Sequence, residues 1–176
     1  MRYPAEETAR KHERILKEAS RLFRERGFEK VTVGEIMKAA GLTHGAFYAH
    51  FGSKQQLEEA AIAYGQELSA GRARSYGATK KGRREYAERY LNPRHRDNPG
   101  GGCTMAALAQ EVARSTPEVK AAFEQGLEKI LATRSPDRQE AIFLTAALLG
   151  GVVLARAVQD PRFSDEILES VREKIG

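Results

Sequence analysis

The chain has 176 residues, 41% of them hydrophobic and 30% charged, with a net charge of +5, which is apolar material enough for one or two compact units. A single cysteine excludes an internal disulfide and a cysteine-based zinc framework, so a reducing compartment and no cofactor are expected. The longest apolar run, Ala141 to Ala155, falls short of the roughly 20 residues that span a bilayer and reads as a buried helix.

Met1 to Lys17 is charged almost throughout and lacks the basic-then-apolar order of a signal peptide, so a cytoplasmic chain is expected. Residues 1–54 hold eleven Lys and Arg against seven Asp and Glu, whereas residues 103–176 hold nine against eleven. The positive end is the one suited to nucleic acid. Ile15, Ala19, Leu22 and Phe23 form one stripe of a first helix, which Gly27 and Phe28 end.

Thr32 with Glu35 three residues later is a capping box, in which the hydroxyl takes an early N–H and the carboxylate reaches back. The helix it opens carries Val33, Ile36, Met37 and Ala40 on one face and stops at Gly41, the residue best able to turn left-handed. Leu42 plugs the angle. Thr43 is a second N-cap candidate and opens a short helix through His50. Helices joined this tightly cross steeply, so residues 32–51 read as a helix-turn-helix, or else as a plain pair of core helices.

At 100° per residue Phe47 and Phe51 point inward, Ala46 and His50 lie on one flank and His44 on the other. Gly45 and Ala49 then face outward beside Tyr48 and His44, a surface small enough to enter a major groove. Ser53 and Gln56 form another capping box, and the helix beginning at Lys54 offers a phosphate an ammonium and free N–H groups.

Over residues of about 10 to 65 the chain resembles the DNA-binding domain of the TetR family of bacterial transcriptional repressors. The resemblance lies in ILKEASRLFRERGFEKVTV, in the I-x-x-A-A-G-L turn, and in G-A-F-Y-A-H-F followed by Ser53, Lys54 and Leu57. It implies that Thr43 to His50 reads the major groove while Thr32, Thr43, Tyr48, His50 and Lys54 touch the phosphate backbone. With so few side chains able to make bidentate base contacts, His44 is expected to carry most of the polar readout, with Ala46 or Ala49 and DNA shape supplying the rest.

Leu57, Ala61, Tyr64 and Leu68 continue at helical spacing, which makes the fourth helix the link to the rest of the chain. Ser69 to Arg84 turns basic and glycine-rich and reads as a frayed connection; its arginines and lysines are an auxiliary DNA contact or a solvated loop. A helix through Glu85 to Leu91 gives way to a loop, NPRHRDNPGGG, whose glycines lack the spacing of a phosphate-binding fingerprint. Further helices follow over Cys103 to Val112, from Pro117 with Val119, Ala122, Phe123, Leu127, Ile130 and Leu131, and from Ser135. The last opens at Ser164 with Ile167, Leu168, Val171 and Ile175 inward.

The chain is therefore expected to be all-α, with residues 1–60 a three-helix DNA-binding domain and residues 61–176 a helical effector-binding and dimerisation domain. The final two helices carry more apolar surface than a monomer of this size hides, which favours a homodimer with a four-helix interface over a monomeric bundle. A two-fold pair would read a palindrome in double-stranded DNA with half-sites a turn or a multiple of it apart.

The resemblance further implies a small-molecule effector, entering among the central helices and separating the reading heads. Candidate liners are Tyr64, Tyr86, Tyr90, Met105, Leu108, Phe123, Leu127, Phe143 and Leu144, each of which reads more readily as core. Cys103, after a glycine loop and near Arg94, His95 and Arg96, is either a thiol sensor or a structural cysteine. An enzyme would have to recruit Cys103 with His95 or His44, and no acidic orienting residue is in place, so catalysis is not expected. The alternative to a repressor is an activator of the same type, or a ligand-binding protein without an operator.

Overall fold

The computed structural model describes residues 3–175, and among them every regular element is helical. Helices α1 (Tyr3–Arg26) and α2 (Val33–Ala39) are followed by a 3-10 segment, His44–Ala49, and then by α3 (Lys54–Arg74). The remainder comprises α4 (Lys80–Tyr90), α5 (Pro93–Arg96), α6 (Thr104–Val112), α7 (Pro117–Leu131), α8 (Arg138–Ala157) and α9 (Pro161–Ile175).

The Thr32 capping box forms as its spacing requires: the Glu35 N–H donates to Thr32 Oγ1 at 3.2 Å and the Thr32 N–H donates to Glu35 at 2.8 Å. Gly41, at φ 66°, then turns the chain out of α2, a conformation that costs an L-residue about 1–2 kcal/mol. Ile15, Ala19 and Phe23 of α1 close over Ile36, Met37, Phe47 and Leu57, all of them buried. Each of these side chains larger than alanine contributes about 1.5–3 kcal/mol by leaving water. This core does not end at the first 60 residues, since Leu108 and Val112 of α6 and Val119 of α7 belong to it.

A second core gathers Ala70, Leu91, Met105, Ile130, Leu148, Val152 and Leu168. At Gly151 the helix passes so close to its neighbours that an added Cβ would lie 2.9 Å from Leu91 and 3.4 Å from Val171. A larger residue there would have to displace the Leu91 methyl.

Several elements differ from their sequence reading. The Ser69 to Arg84 stretch is not frayed: α3 runs on to Arg74, and α4 begins at Lys80 under a Thr79 cap, leaving a break of five residues. The buried face of α3 is Ala61, Ile62, Gly65, Gln66, Ser69, Ala70 and Ala73, so Leu68 faces solvent at 48% exposure. Small residues let α3 lie against its neighbours: a Cβ at Gly65 would meet the hydroxyls of Thr104 and Ser20. Within the NPRHRDNPGGG loop, Asn92 caps a single helical turn by accepting the His95 N–H. The last helix starts at Pro161, three residues before Ser164. Helix α8 is long and apolar enough to cross a membrane by length and composition, yet only 39% of its most apolar window is buried. It is therefore not the wholly buried helix its sequence suggests.

Candidate nucleic-acid interface and central cleft

The turn after α2 presents the 3-10 segment edge-on to solvent. Phe47 and Phe51 anchor it from below, 1% and 6% exposed, while Tyr48 stands 70% exposed on the other side. His44, Gly45 and Ala49 are exposed with it, Ala46 and His50 are half-buried, and the His44 and Tyr48 rings stack at 6.4 Å. The tighter winding of a 3-10 helix sets Gly45 directly beside Tyr48, three residues on. Thr43 makes no side-chain cap; its carbonyl takes the Ala46 N–H at 3.1 Å, which leaves its hydroxyl outside the segment's own bonding.

Ser53 caps α3 through the Gln56 N–H at 3.2 Å, but the returning Gln56 carbonyl takes the Gly52 N–H instead of that of Ser53. The Lys54 ammonium is not free at the helix start as its position suggests. It donates to the Phe28 carbonyl at 2.5 Å and lies 3.9 Å from Glu58. Glu58 stands at the i,i+4 spacing a helix provides, but the carbonyl is invisible in local sequence because it belongs to a residue 26 positions earlier.

Several supports escaped sequence reasoning for the same reason. Arg14 of α1 donates to the Ala40 carbonyl at the end of α2. His12 stacks on Phe51 at 4.7 Å and sits 5.6 Å from His50, whose pKa is held below the usual imidazole value by burial and then by the His12 and Lys11 charges. Glu111 of α6 accepts the Phe28 N–H at 2.5 Å and so fastens the α1–α2 turn to the central helices. Arg24 reaches the Gly100 carbonyl at 2.9 Å and Ser20 at 2.5 Å, a second tie between α1 and the loop before α6.

A cleft of about 320 Å3 opens between α3, α4 and that loop, with Tyr86, Tyr90 and Cys103 among its lining residues. His95 holds the loop. Its Nδ1 lies 2.7 Å from the Tyr90 carbonyl and its Nε2 accepts the Cys103 N–H at 3.0 Å. Those partners require a neutral ring protonated at Nδ1, and burial accordingly lowers the His95 pKa.

Residues 15–61 match the family model described as bacterial regulatory proteins, tetR family. This is the amino-terminal domain of the TetR family. The chain is 46% identical over 54 residues to the uncharacterized HTH-type transcriptional regulator YerO of Bacillus subtilis, covering 31% of this chain and 19% of that protein. To the HTH-type transcriptional repressor NemR of Escherichia coli it is 27% identical over 128 residues, or 70% of this chain and 64% of NemR. The aligned stretch thus spans less than two thirds of either curated relative. The crystal structure of reduced NemR superposes with a TM-score of 0.78 at 22% identity over 94% of this chain and 95% of that one. A TetR regulator from Chloroflexus aurantiacus gives 0.76 at 22% identity over 97% and 94%. The TetR-type architecture therefore extends through both halves, an amino-terminal helix-turn-helix and a helical remainder.

Outside the TetR-type domain the expected liners separate. Tyr86, Tyr90 and Cys103 share the cleft, but Met105 and Leu108 are 1% and 2% exposed within the two closed cores, with Phe123 and Leu127 packed against them. Tyr64 lines a different groove beside α1, Leu144 a smaller one beneath Tyr86, and Phe143 is 63% exposed on the outer face of α8. Helical phase alone could not distinguish these, because α8 is apolar on every side. Arg96, expected near the thiol, instead pairs with Asp97 and with Asp165 at 2.6 Å. A catalytic partnership of Cys103 with His95 finds no free base, since both ring nitrogens are engaged with the backbone.

Proposed function

We propose that this chain is a cytoplasmic, ligand-responsive transcriptional regulator that represses by binding a palindromic operator as a homodimer and is released by a small molecule. Residues 1–60 are its DNA-binding domain and residues 61–176 its effector-binding and dimerisation domain. The observation that carries the reading is the outward face of His44, Gly45, Tyr48 and Ala49, mounted on the buried Phe47 and Phe51. A narrow face on a rigid base is what entry into a major groove requires. His44 and Tyr48 supply polar contacts, Ala46 and Ala49 apolar ones, and Thr32, Thr43 and His50 face phosphates at the rim. Lys54 joins them by exchanging the Phe28 carbonyl for a phosphate.

The dimer reading is supported by Ile142, Phe143, Val153 and Leu154 of α8 and Phe163 of α9, which stand 43–63% exposed. Gly150 lies among them with nothing within 4 Å of an added Cβ, so a second copy can approach closely there. An effector that favours the non-binding conformation by about 1–3 kcal/mol is enough to release the operator.

Selection of duplexes from a random pool, followed by footprinting and sedimentation, tests this directly. A palindromic site and a two-chain species are expected; a strict monomer, or no selected sequence, would overturn the reading. His44→Ala should change which sequence is selected, whereas Lys54→Ala should weaken all sequences alike and lower the salt slope by about one.

A further inference from the structure

The central cleft carries more charge than an apolar effector needs. Arg72, Arg89 and Arg94 line it, with no Asp or Glu among its lining residues. Neighbouring carboxylates are engaged elsewhere: Glu88 with Arg84, Asp97 with Arg96, Glu25 with Arg21, and Glu67 with Arg74 and Lys129. The Arg72 charge reaches beyond the cleft: after burial it is the next influence lowering the pKa of Arg24. Arg134, buried, lies 3.9 Å over the Tyr86 ring and leaves its Nε without a hydrogen-bond partner. Three arginines gathered along one cleft without a carboxylate repel one another, with Arg134 behind the Tyr86 ring adding to the positive field, and an anion placed in the cleft reduces that cost.

The cleft also has a flat wall. The Tyr86 and Tyr90 rings stack at 5.6 Å with 25° between their planes. Tyr90 is 7% exposed, and its hydroxyl, beside the weakly accepting Cys103 thiol, has no well-formed hydrogen bond, a deficit of the kind that costs about 1–3 kcal/mol when buried. Burial also raises its pKa, so the phenol stays protonated and can donate to an oxygen.

We propose that the cleft binds a small organic oxyanion, a carboxylate or phosphate ester on a flat aromatic body, with Arg72, Arg89 and Arg94 holding the charge, Tyr86 and Tyr90 the ring, and the Tyr90 hydroxyl one oxygen. The ligand class rests on reading the cleft as the effector site. Charge gives the selectivity, because a neutral analogue would fill the same space and leave the guanidinium groups unmatched. Guanidinium forks suit either oxyanion, and the relative affinity of the two probes tells which is favoured.

Calorimetric titration of the full chain with 2-naphthoate, phenyl phosphate and neutral 2-naphthamide provides the test. At least one anion should bind about tenfold or more tightly than the amide, weaken as salt rises, and lose about fivefold or more in Arg72→Gln or Arg94→Gln. Tyr90→Phe should weaken the anion while raising the melting temperature, a combination that mere unfolding cannot produce. Arg74→Gln, outside the cleft, should leave binding unchanged. Equal affinity for the amide, no anion binding at millimolar concentration, or an equal loss in Arg74→Gln would overturn the proposal. Operator release is scored separately: an anion that binds selectively without releasing DNA upholds the ligand class and defeats the effector reading, whereas release by the amide with no preference for anions does the reverse.

Discussion

Around Phe23 and Phe47 the first core closes completely, with Ile15, Ile36, Met37 and Leu57 each at 0% exposure. Around Leu91 and Val152 the second core is as apolar but carries the cleft, and among the described residues the buried side-chain atoms left without partners belong to Gln66, Tyr90, Arg134 and Thr145. All four lie at or beyond residue 66. Among the described residues, one half has its buried side-chain polar atoms satisfied; the other retains unsatisfied groups that a ligand or a rearrangement can satisfy. The proposed switch needs both, because a reading surface loses specificity if it deforms, while a sensing half with no unmet interactions has nothing for a ligand to improve.

Truncating the anchor of the reading segment should have the largest effect. Phe47→Ala removes a ring that is 1% exposed and packed on Phe51, and a loss of about 3–5 kcal/mol in urea unfolding is expected, with operator binding lost alongside. A loss below about 1 kcal/mol would mean that the segment is not held by this core and that the two halves do not differ in rigidity.

The seam between the halves comes next. Glu111→Ala leaves the partly buried Phe28 N–H without its acceptor, so a loss of about 1–2 kcal/mol is expected. Hydrogen exchange should quicken at the α1–α2 turn before it does in α8. Uniform quickening would instead make the whole chain one cooperative unit.

The same seam marks where sequence reasoning succeeded and where it stopped. The helix-turn-helix was legible because its determinants are local: Thr32 and Glu35 are three residues apart, Gly41 ends the helix by its own backbone, and Phe47 and Phe51 declare the inner face. The course of α3 was not, because its inner face is built of Ala61, Gly65, Ser69 and Ala73, small residues that leave no apolar period to read. Lys54 looked free for the same kind of reason, its partner Phe28 being remote in sequence. The cleft was only half visible: its tyrosines were candidates, but Arg72 read as part of a basic connection and Arg94 only as a neighbour of Cys103 until the fold brought both to the lining of one cleft.

Thr145→Val tests the unsatisfied half with the opposite sign. The hydroxyl of Thr145 is buried without a partner, so replacing it with a methyl of similar shape should stabilise the chain by about 1 kcal/mol in urea unfolding. A loss of stability would show that this hydroxyl finds a partner in solution and that the second core is less frustrated than its geometry indicates.

The smallest expected effect is a pH dependence belonging to His95. Burial is the first cause of its lowered pKa, followed by the opposing hydrogen bond to the Tyr90 carbonyl and then by the Arg156 and Arg72 charges. Because the folded value lies below the unfolded one, near 6.5, the unfolded chain takes up its proton first as pH falls. The stability that His95 contributes is therefore full above about pH 6.5 and is lost as pH drops from there toward the folded value. His50 is lowered as well and acts in the same sense from the first half, so melting curves alone would merge the two. Nitrogen-resolved NMR separates them: His95 should hold its proton on Nδ1 and titrate below 6.5, and His95→Gln should flatten the acid limb only in part, the remainder disappearing with His50→Gln. Protonated His95 can no longer accept the Cys103 N–H, so its titration should loosen the loop over the cleft while leaving the contacts around Phe47 intact. If the reading segment shifts at the same pH, the two halves are coupled through Arg24 and the Gly100 carbonyl more tightly than their separate cores imply.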